Sequence, residues 1–296
     1  MSDSHPAVVF NEQGLSLRDA GDIAAAETAY RAAIAAAPGW SAPIYNLGLL
    51  CKYERRWSES LEFNRQAAEL EPDDEASWWN LGIAATALSN WAEARRAWAA
   101  CGMDAPAGDG PPVFNWGRTP VRLNPDTDGE VVWAKRLDPA RAQIVNVPLP
   151  TSGFHWGDIV LTDGAVEGER IVDGRAFPVF NVLQLWSPSK LRTFIIELAT
   201  ADAEALAALE QCAEQLDGAA EDWGTCTSIL CRDCSYGRPH QHADAASNPA
   251  HPHCGLAARD HAHADEIIAA WLATTPSADL TVWYEAPSCA GNERRA

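Results

Sequence analysis

Hydrophobic and polar positions along the chain follow two rhythms, and the change falls near residue 113. Before it, segments such as PIYNLGLLCKYE and SWWNLGIAATAL place apolar residues at helical spacing, the pattern of helices that bury a broad face. After it, the apolar runs shorten. EVVWAKRL (130–137), AQIVNVPL (142–149), GDIVLTDG (157–164), PVFNVLQLW (178–186) and LRTFIIELA (191–199) are rich in β-branched and aromatic residues and bounded by Pro, Gly and Asp, which predicts strands. Two helices are expected at 202–218, stopped by Gly218, and at 259–274, with a last strand at 279–286. The expected architecture is α + (α+β): helices first, then a mixed domain over 113–296.

The helical part repeats. Gly14, Gly48 and Gly82 are 34 residues apart, as are Pro38, Pro72 and Pro106. Asn46-Leu47-Gly48 returns as Asn80-Leu81-Gly82, and Trp57 returns as Trp91. Small residues keep the register in Ala26, Ser60 and Ala94, then in Ala33, Ala67 and Cys101. Tyr30 and Trp98 share a column that Asn64 interrupts. Such a period is one pair of antiparallel helices per unit: small residues mark where helix backbones approach closely, and the proline ends each unit. The pattern resembles the tetratricopeptide repeat, with repeats at 7–40, 41–74 and 75–108 inside a domain of residues 1–108; a linker, DAPAGDGPP, closes at 109–112.

The resemblance implies a superhelix whose concave face, lined by the first helix of each pair, holds a peptide or protein segment. Asn46 and Asn80, each on a first helix before its packing glycine, are the candidate peptide-binding residues; bridging between neighbouring helices is the alternative role. The first helices carry too few Lys and Arg to grip an acidic C-terminus in the manner of chaperone-binding members, so an apolar or basic segment is the expected ligand. Helical arrays also need a cap on the last hairpin. Because a linker follows the third repeat, the second domain is expected to dock there.

Charge narrows the partners. The formal net charge is −19, from 22 Lys plus Arg against 41 Asp plus Glu. Residues 1–108 carry 15 acids and 8 bases, and the remainder 26 and 14, so both halves are acidic. That balance excludes a broad phosphate-binding face and with it a nucleic-acid partner. No apolar run reaches membrane-spanning length, and the first residues lack a basic, apolar leader, so a soluble cytoplasmic protein is expected, with no membrane partner.

One stretch carries candidate chemistry: CTSILCRDCSYGRPHQH, residues 226–242. Cys231 and Cys234 have the C-x-x-C spacing with which a tight turn presents two thiolates to one ion. Pro239 pushes Arg238 toward an extended conformation, so His240 and His242 fall on one side. Cys231, Cys234, His240 and His242 make a Cys₂His₂ set for which zinc is the natural occupant. Cys226, His251, His253, Cys254, His261 and His263 are further candidates, the last two expected at a helix surface and His251 and His253 in a loop. The Cys226/Cys231/Cys234 spacing also matches an iron–sulfur pattern, disfavoured by Ile229 and Leu230. HQHAD (240–244) superficially matches hydrolase and oxygenase metal motifs, without the remote ligands these need. His155-Trp156-Gly157-Asp158 and Asp163-Gly164 read as turns, and Cys51, Cys101 and Cys212 as packing residues. The expectation is an interaction scaffold with a structural zinc site. The alternative is a metal-dependent hydrolase or oxygenase acting on a protein that the repeats recruit.

Overall fold

The computed structural model describes residues 5–114, 116–127, 129–199, 202–223 and 253–287. The chain divides into two compact units, one of residues 1–114 with Leu137–Ala140 and one of 115–136 with 141–296.

The first unit holds six helices in three hairpins: α1 Pro6–Asp19 and α2 Ile23–Ala36, α3 Ser41–Tyr53 and α4 Trp57–Leu70, α5 Glu75–Ala87 and α6 Trp91–Ala100. Side-chain caps start several of them, from Asp22 to the Ala25 N–H, Asp74 to the Ala76 and Ser77 N–H groups, and Asn90 to the Glu93 N–H. Each glycine column has a structural counterpart. A Cβ on Gly14 would lie 2.5 Å from the Tyr30 ring, on Gly48 2.8 Å from the Asn64 amide and on Gly82 2.4 Å from the Trp98 ring, so only glycine lets the two helices of a hairpin close. Asn64 therefore occupies the same slot as Tyr30 and Trp98. It is fully buried and donates to the Ser60 carbonyl at 2.8 Å, while Ser60 Oγ donates to the Gly48 carbonyl at 3.0 Å. The hairpin turns share a further register absent from the sequence pattern. Gly21, Arg55 and Ser89, again 34 apart, all adopt positive φ of 81°, 56° and 56°, closing each first helix with a left-handed residue. Arg56–Glu27 at 2.7 Å and Arg65–Glu93 at 3.0 Å tie successive hairpins together.

The second unit is α+β, as expected, but consists of a barrel and a separate sheet. Five strands form the closed barrel: β1 Arg118–Arg122, β2 Val131–Arg136, β3 Arg141–Ile144, β4 Ile159–Val172 and β5 Arg175–Ser187. Consecutive strands pair antiparallel, and β1 meets β5 parallel through Val121↔Phe180. A meander of five strands must close this way, because first and last point in the same direction. Val121, Val132, Ala134, Ile144, Val160 and Val182 fill it. Then follow β6 Arg192–Leu198, α7 Ala203–Gln215, β7 Ala219–Asp222, β8 His253–Ala258, α8 His261–Thr274 and β9 Leu280–Glu285. Their antiparallel sheet has the order β7-β8-β6-β9, which is the split βαβ, ferredoxin-like topology. Trp271, Leu209 and Ile267 of the two helices bury one face of this sheet with Phe194, Ile196 and Leu256.

Two readings of the sequence are corrected here. Asp163-Gly164 is no turn: it lies inside β4, where the three residues between Thr162 and Val166 run against the one between Val182 and Phe180 on β5, a bulge that lets the strand continue. The turn is Asp173-Gly174, both at positive φ. His253 heads β8, paired with Glu197, instead of lying in a loop.

Candidate polypeptide-binding face

Asn46 and Asn80 occupy the same position of α3 and α5, one residue before the helix side of the Leu47 and Leu81 core contacts. Asn46 Nδ2 donates to Asn11 Oδ1 of α1 at 2.9 Å. Asn80 Oδ1 accepts from Lys52 Nζ of α3 at 3.0 Å. Each amide thus bridges two first helices, and each uses one of the four hydrogen-bonding positions an amide offers in doing so. Asn46 is half-buried and Asn80 buried. Lys52, itself buried, also lies 4.5 Å from the Tyr53 ring centroid, while Tyr53 is exposed. Lys52 has a signal in the sequence, because Arg18, Lys52 and Thr86 form another 34-residue column along the first helices.

The array contains no reactive thiol. Burial pushes the Cys51 and Cys101 thiols up to about 11, which keeps both protonated and inert. They are packing residues, as expected, and Cys212 likewise packs between α7 and α8.

In the second unit, Asp158 is fully buried and its carboxylate accepts from the backbone N–H of His155 at 2.8 Å and of Ser189 at 2.6 Å. This confirms a turn role. His155, without a neighbour in the sequence, finds one 38 residues on: Nδ1 is 2.9 Å from Thr193 Oγ1. Thr193 is only 2% exposed, so the pair anchors a loop to β6 and offers no accessible nucleophile. His263, expected at the surface, is buried. Its Nδ1 accepts the Arg259 N–H and its Nε2 lies 2.6 Å from the Leu216 carbonyl, an arrangement that puts the ring hydrogen on Nε2 and makes the imidazole a brace between α7 and α8. His261 is the exposed member of that pair, 3.5 Å from Glu285. Burial pushes the Cys254 thiol up to about 12.

Two carboxyl groups clasp the 146–149 stretch. Glu221 of β7 accepts from Asn146 Nδ2 and, at 2.6 Å, from the Val147 N–H; both oxygens of Glu130 lie 3.2 Å from the Leu149 N–H. Burial pushes Glu130 up to about 7; the Leu149 N–H opposes the rise and the nearby Glu221 charge adds to it.

Cys231, Cys234, His240 and His242 lie outside the described residues, as do Cys226 and His251. All are in the 223–252 connection from β7 to β8. Among the described residues no group of three or more His, Cys, Asp or Glu is placed to hold a metal ion, and no helix is long and apolar enough to cross a membrane.

No family model matches the sequence, and no curated protein matches it. Solved structures that resemble it are tetratricopeptide domains. The second such domain of Spaghetti (RPAP3), bound to the HSP90 peptide SRMEEVD, is 20% identical over 32% of this chain and 88% of its own, with a TM-score of 0.31. The first domain of the same protein, with the same peptide, gives 20%, 33%, 78% and 0.32. The TPR2B domain of yeast Sti1, in a complex with pHsp70, gives 21%, 33%, 78% and 0.31. Their likeness is confined to about a third of the chain. The six helices from Pro6 to Ala100 are a tetratricopeptide segment on the strength of their own register: three hairpins whose packing glycines and left-handed turn residues all recur at 34.

Proposed function

We propose that this chain is a protein-interaction adaptor whose helical array holds an extended segment of another polypeptide. The observation that carries this reading is the pair Asn46 and Asn80, set at one register on successive first helices and each bridged to a neighbouring helix. Amides fixed in this way present hydrogen-bonding groups to a peptide backbone at little cost in side-chain entropy. Lys52 is already bonded to Asn80 and Arg18 to Asp19, and the array carries 15 acids against 8 bases. An apolar or basic segment therefore suits it better than an acidic tail. Fluorescence polarisation of arrayed extended peptides on the full chain tests this: basic and apolar sequences should bind, and acidic ones should not.

The second part of the proposal is zinc on Cys231, Cys234, His240 and His242, two soft thiolates and two imidazoles that suit a closed tetrahedral structural site. What supports it beyond the spacing is their place in the chain. A connection between two adjacent antiparallel strands normally takes a few residues, whereas β7 and β8 are joined by residues 223–252. Elemental analysis of the purified chain should find one zinc per molecule, lost in Cys231→Ser. Absence of metal in the native protein would overturn this part and leave the array's role untouched.

A further inference from the structure

The inner side of the array, where its first helices meet, is closed at the end that should be most open. Two columns line it: Leu15, Leu49 and Ile83 in one, Arg18, Lys52 and Thr86 in the other. The members of each repeat are three apart and so share one face of their helix. A first helix is screened there by the first helix of the following repeat, as Lys52 of α3 is by Asn80 of α5. α5 has no following first helix, so Ile83 and Thr86 are expected to be the most exposed of their columns. They are the least. Leu15, Arg18 and Leu49 are half-buried, whereas Ile83 is 0% and Thr86 1% exposed. No further helical layer on α6 accounts for this, because Gly102 is exposed in the column where Ala68 is fully buried.

The same compact unit holds a piece of chain suited to close it. Besides residues 1–114 the unit contains one short segment, Leu137–Ala140, between β2 and β3. The extension after α6 runs along that helix, where Arg95 donates to the Pro106 carbonyl at 2.9 Å and to the Gly110 carbonyl at 2.6 Å. At its end the Phe114 N–H donates to the Leu137 carbonyl at 2.7 Å. A connection between strands normally lies at the surface, yet Asp138 and Ala140 are 0% exposed and Pro139 is buried. Asp138 Oδ1 accepts from the Ala140 N–H at 2.9 Å, a turn that folds the segment into a compact knuckle. Leu137, Pro139 and Ala140 are apolar, the class of ligand that the array's charge favours. We propose that Leu137–Ala140 is a built-in occupant of the inner side, lying on Ile83 and Thr86, and that a polypeptide bound along Asn46 and Asn80 has to displace it. The displacement rests on the adaptor reading above; the placement does not. A tethered occupant competes at an effective concentration in the millimolar range, so it holds back weak ligands and gives way to strong ones.

The test compares the full chain with a full-length variant in which residues 137–140 are replaced by Gly-Ser-Gly-Ser. Hydroxyl-radical footprinting should label Ile83 at least about fivefold faster in the variant. Leu70, already exposed, and Leu47, fully buried in the core, should keep their native rates. If Leu47 is labelled too, the replacement has loosened the array, and Pro139→Gly, which only relaxes the turn, is read by the same ratio. A fluorescent peptide of residues 135–142, KRLDPARA, titrated to about 1 mM, should bind the variant and bind the native chain at least about tenfold more weakly, because the native site is taken. A screened basic or apolar peptide should gain by the same factor. Ile83 equally protected in both chains, or a free segment that binds the variant no better than the native chain, overturns the proposal. A variant that takes the free segment but none of the screened peptides bears out the placement and overturns the adaptor reading instead.

Discussion

In the helical array, each glycine meets a residue sixteen positions away: Gly14 meets Tyr30, Gly48 meets Asn64 and Gly82 meets Trp98. In the second unit the close approaches are remote, as where Gly255 lies under Trp223 and against Val147, or where Glu221 reaches back to Asn146 and Val147. The first unit is held by near-neighbour contacts repeated three times, and the second by contacts that exist only once the whole unit has formed. The lesson is that a defect in the array should act on one hairpin and its neighbours, whereas a defect in the second unit should act on all of it.

Gly82→Ala sharpens this most. The added methyl group would sit 2.4 Å from the Trp98 ring, which is fully buried and packed edge-on against Trp79. The Trp98 ring is enclosed on all sides, so the array should lose about 3 kcal/mol despite alanine's better helix propensity. Gly39→Ala, with open space around it, should change stability by less than about 0.5 kcal/mol. Urea denaturation followed by helical circular dichroism distinguishes them. An equal effect at both positions would contradict the close packing of the third hairpin.

The two units should also respond to pH in opposite directions. In the array, hydrogen bonds from Arg56 and then Arg31 hold Glu27 below its ordinary value, and Glu93 is lowered because its bonds from Arg96 and Arg65 outweigh its burial. Carboxyl groups lowered by folding stabilise the array at neutral pH, and that contribution is lost as pH falls through their folded values. Glu130 behaves the other way. Its folded pKa is raised from 4.5 to about 7, so the folded state keeps the proton longer; the stabilisation is complete below about pH 4.5 and fades as pH rises through about 7. The full swing is on the order of 3 kcal/mol. Glu130→Gln should flatten that slope for the second unit without moving the array's transition. If the slope of the second unit persists in Glu130→Gln, another group is responsible.

The smallest effect concerns the turns. Arg55 and Ser89 hold the left-handed conformation that Gly21 adopts without strain, and both are exposed. Arg55→Gly and Ser89→Gly should each stabilise the array by up to about 1 kcal/mol. Thermal melts of the single and double variants check this, and the two gains should add because the turns do not touch.

How much of this the sequence disclosed follows from the same contrast. The array is legible because each contact is written three times; Asn64 reads in the sequence as a break in its column, and only the structure places it in the packing slot against Gly48. β1 is hidden by Pro120, which fits because the pairing of β1 with β5 begins after it, at Val121. β7, with the sequence AAED, carries no β signal and exists because β8 offers it a ladder. Asp163-Gly164 mimicked a turn that a bulge absorbed. His263 looked like a surface residue because its partners, Arg259 and Leu216, come from opposite ends of the split motif's connections. For the candidate face, Asn46 and Asn80 were legible from the repeat, while Lys52 needed the distance to Asn80 to be noticed.

The adaptor role is tested most directly by titrating a labelled basic or apolar peptide, chosen from the array screen, into the full chain and into Asn46→Ala. We expect micromolar binding to the native chain and at least about tenfold weaker binding to the variant, measured at a temperature where both are folded, since loss of the Asn46–Asn11 bond should itself cost the array about 1 kcal/mol. Peptide affinity that is identical in the two proteins, or no binding by the native chain to any sequence screened, would contradict it.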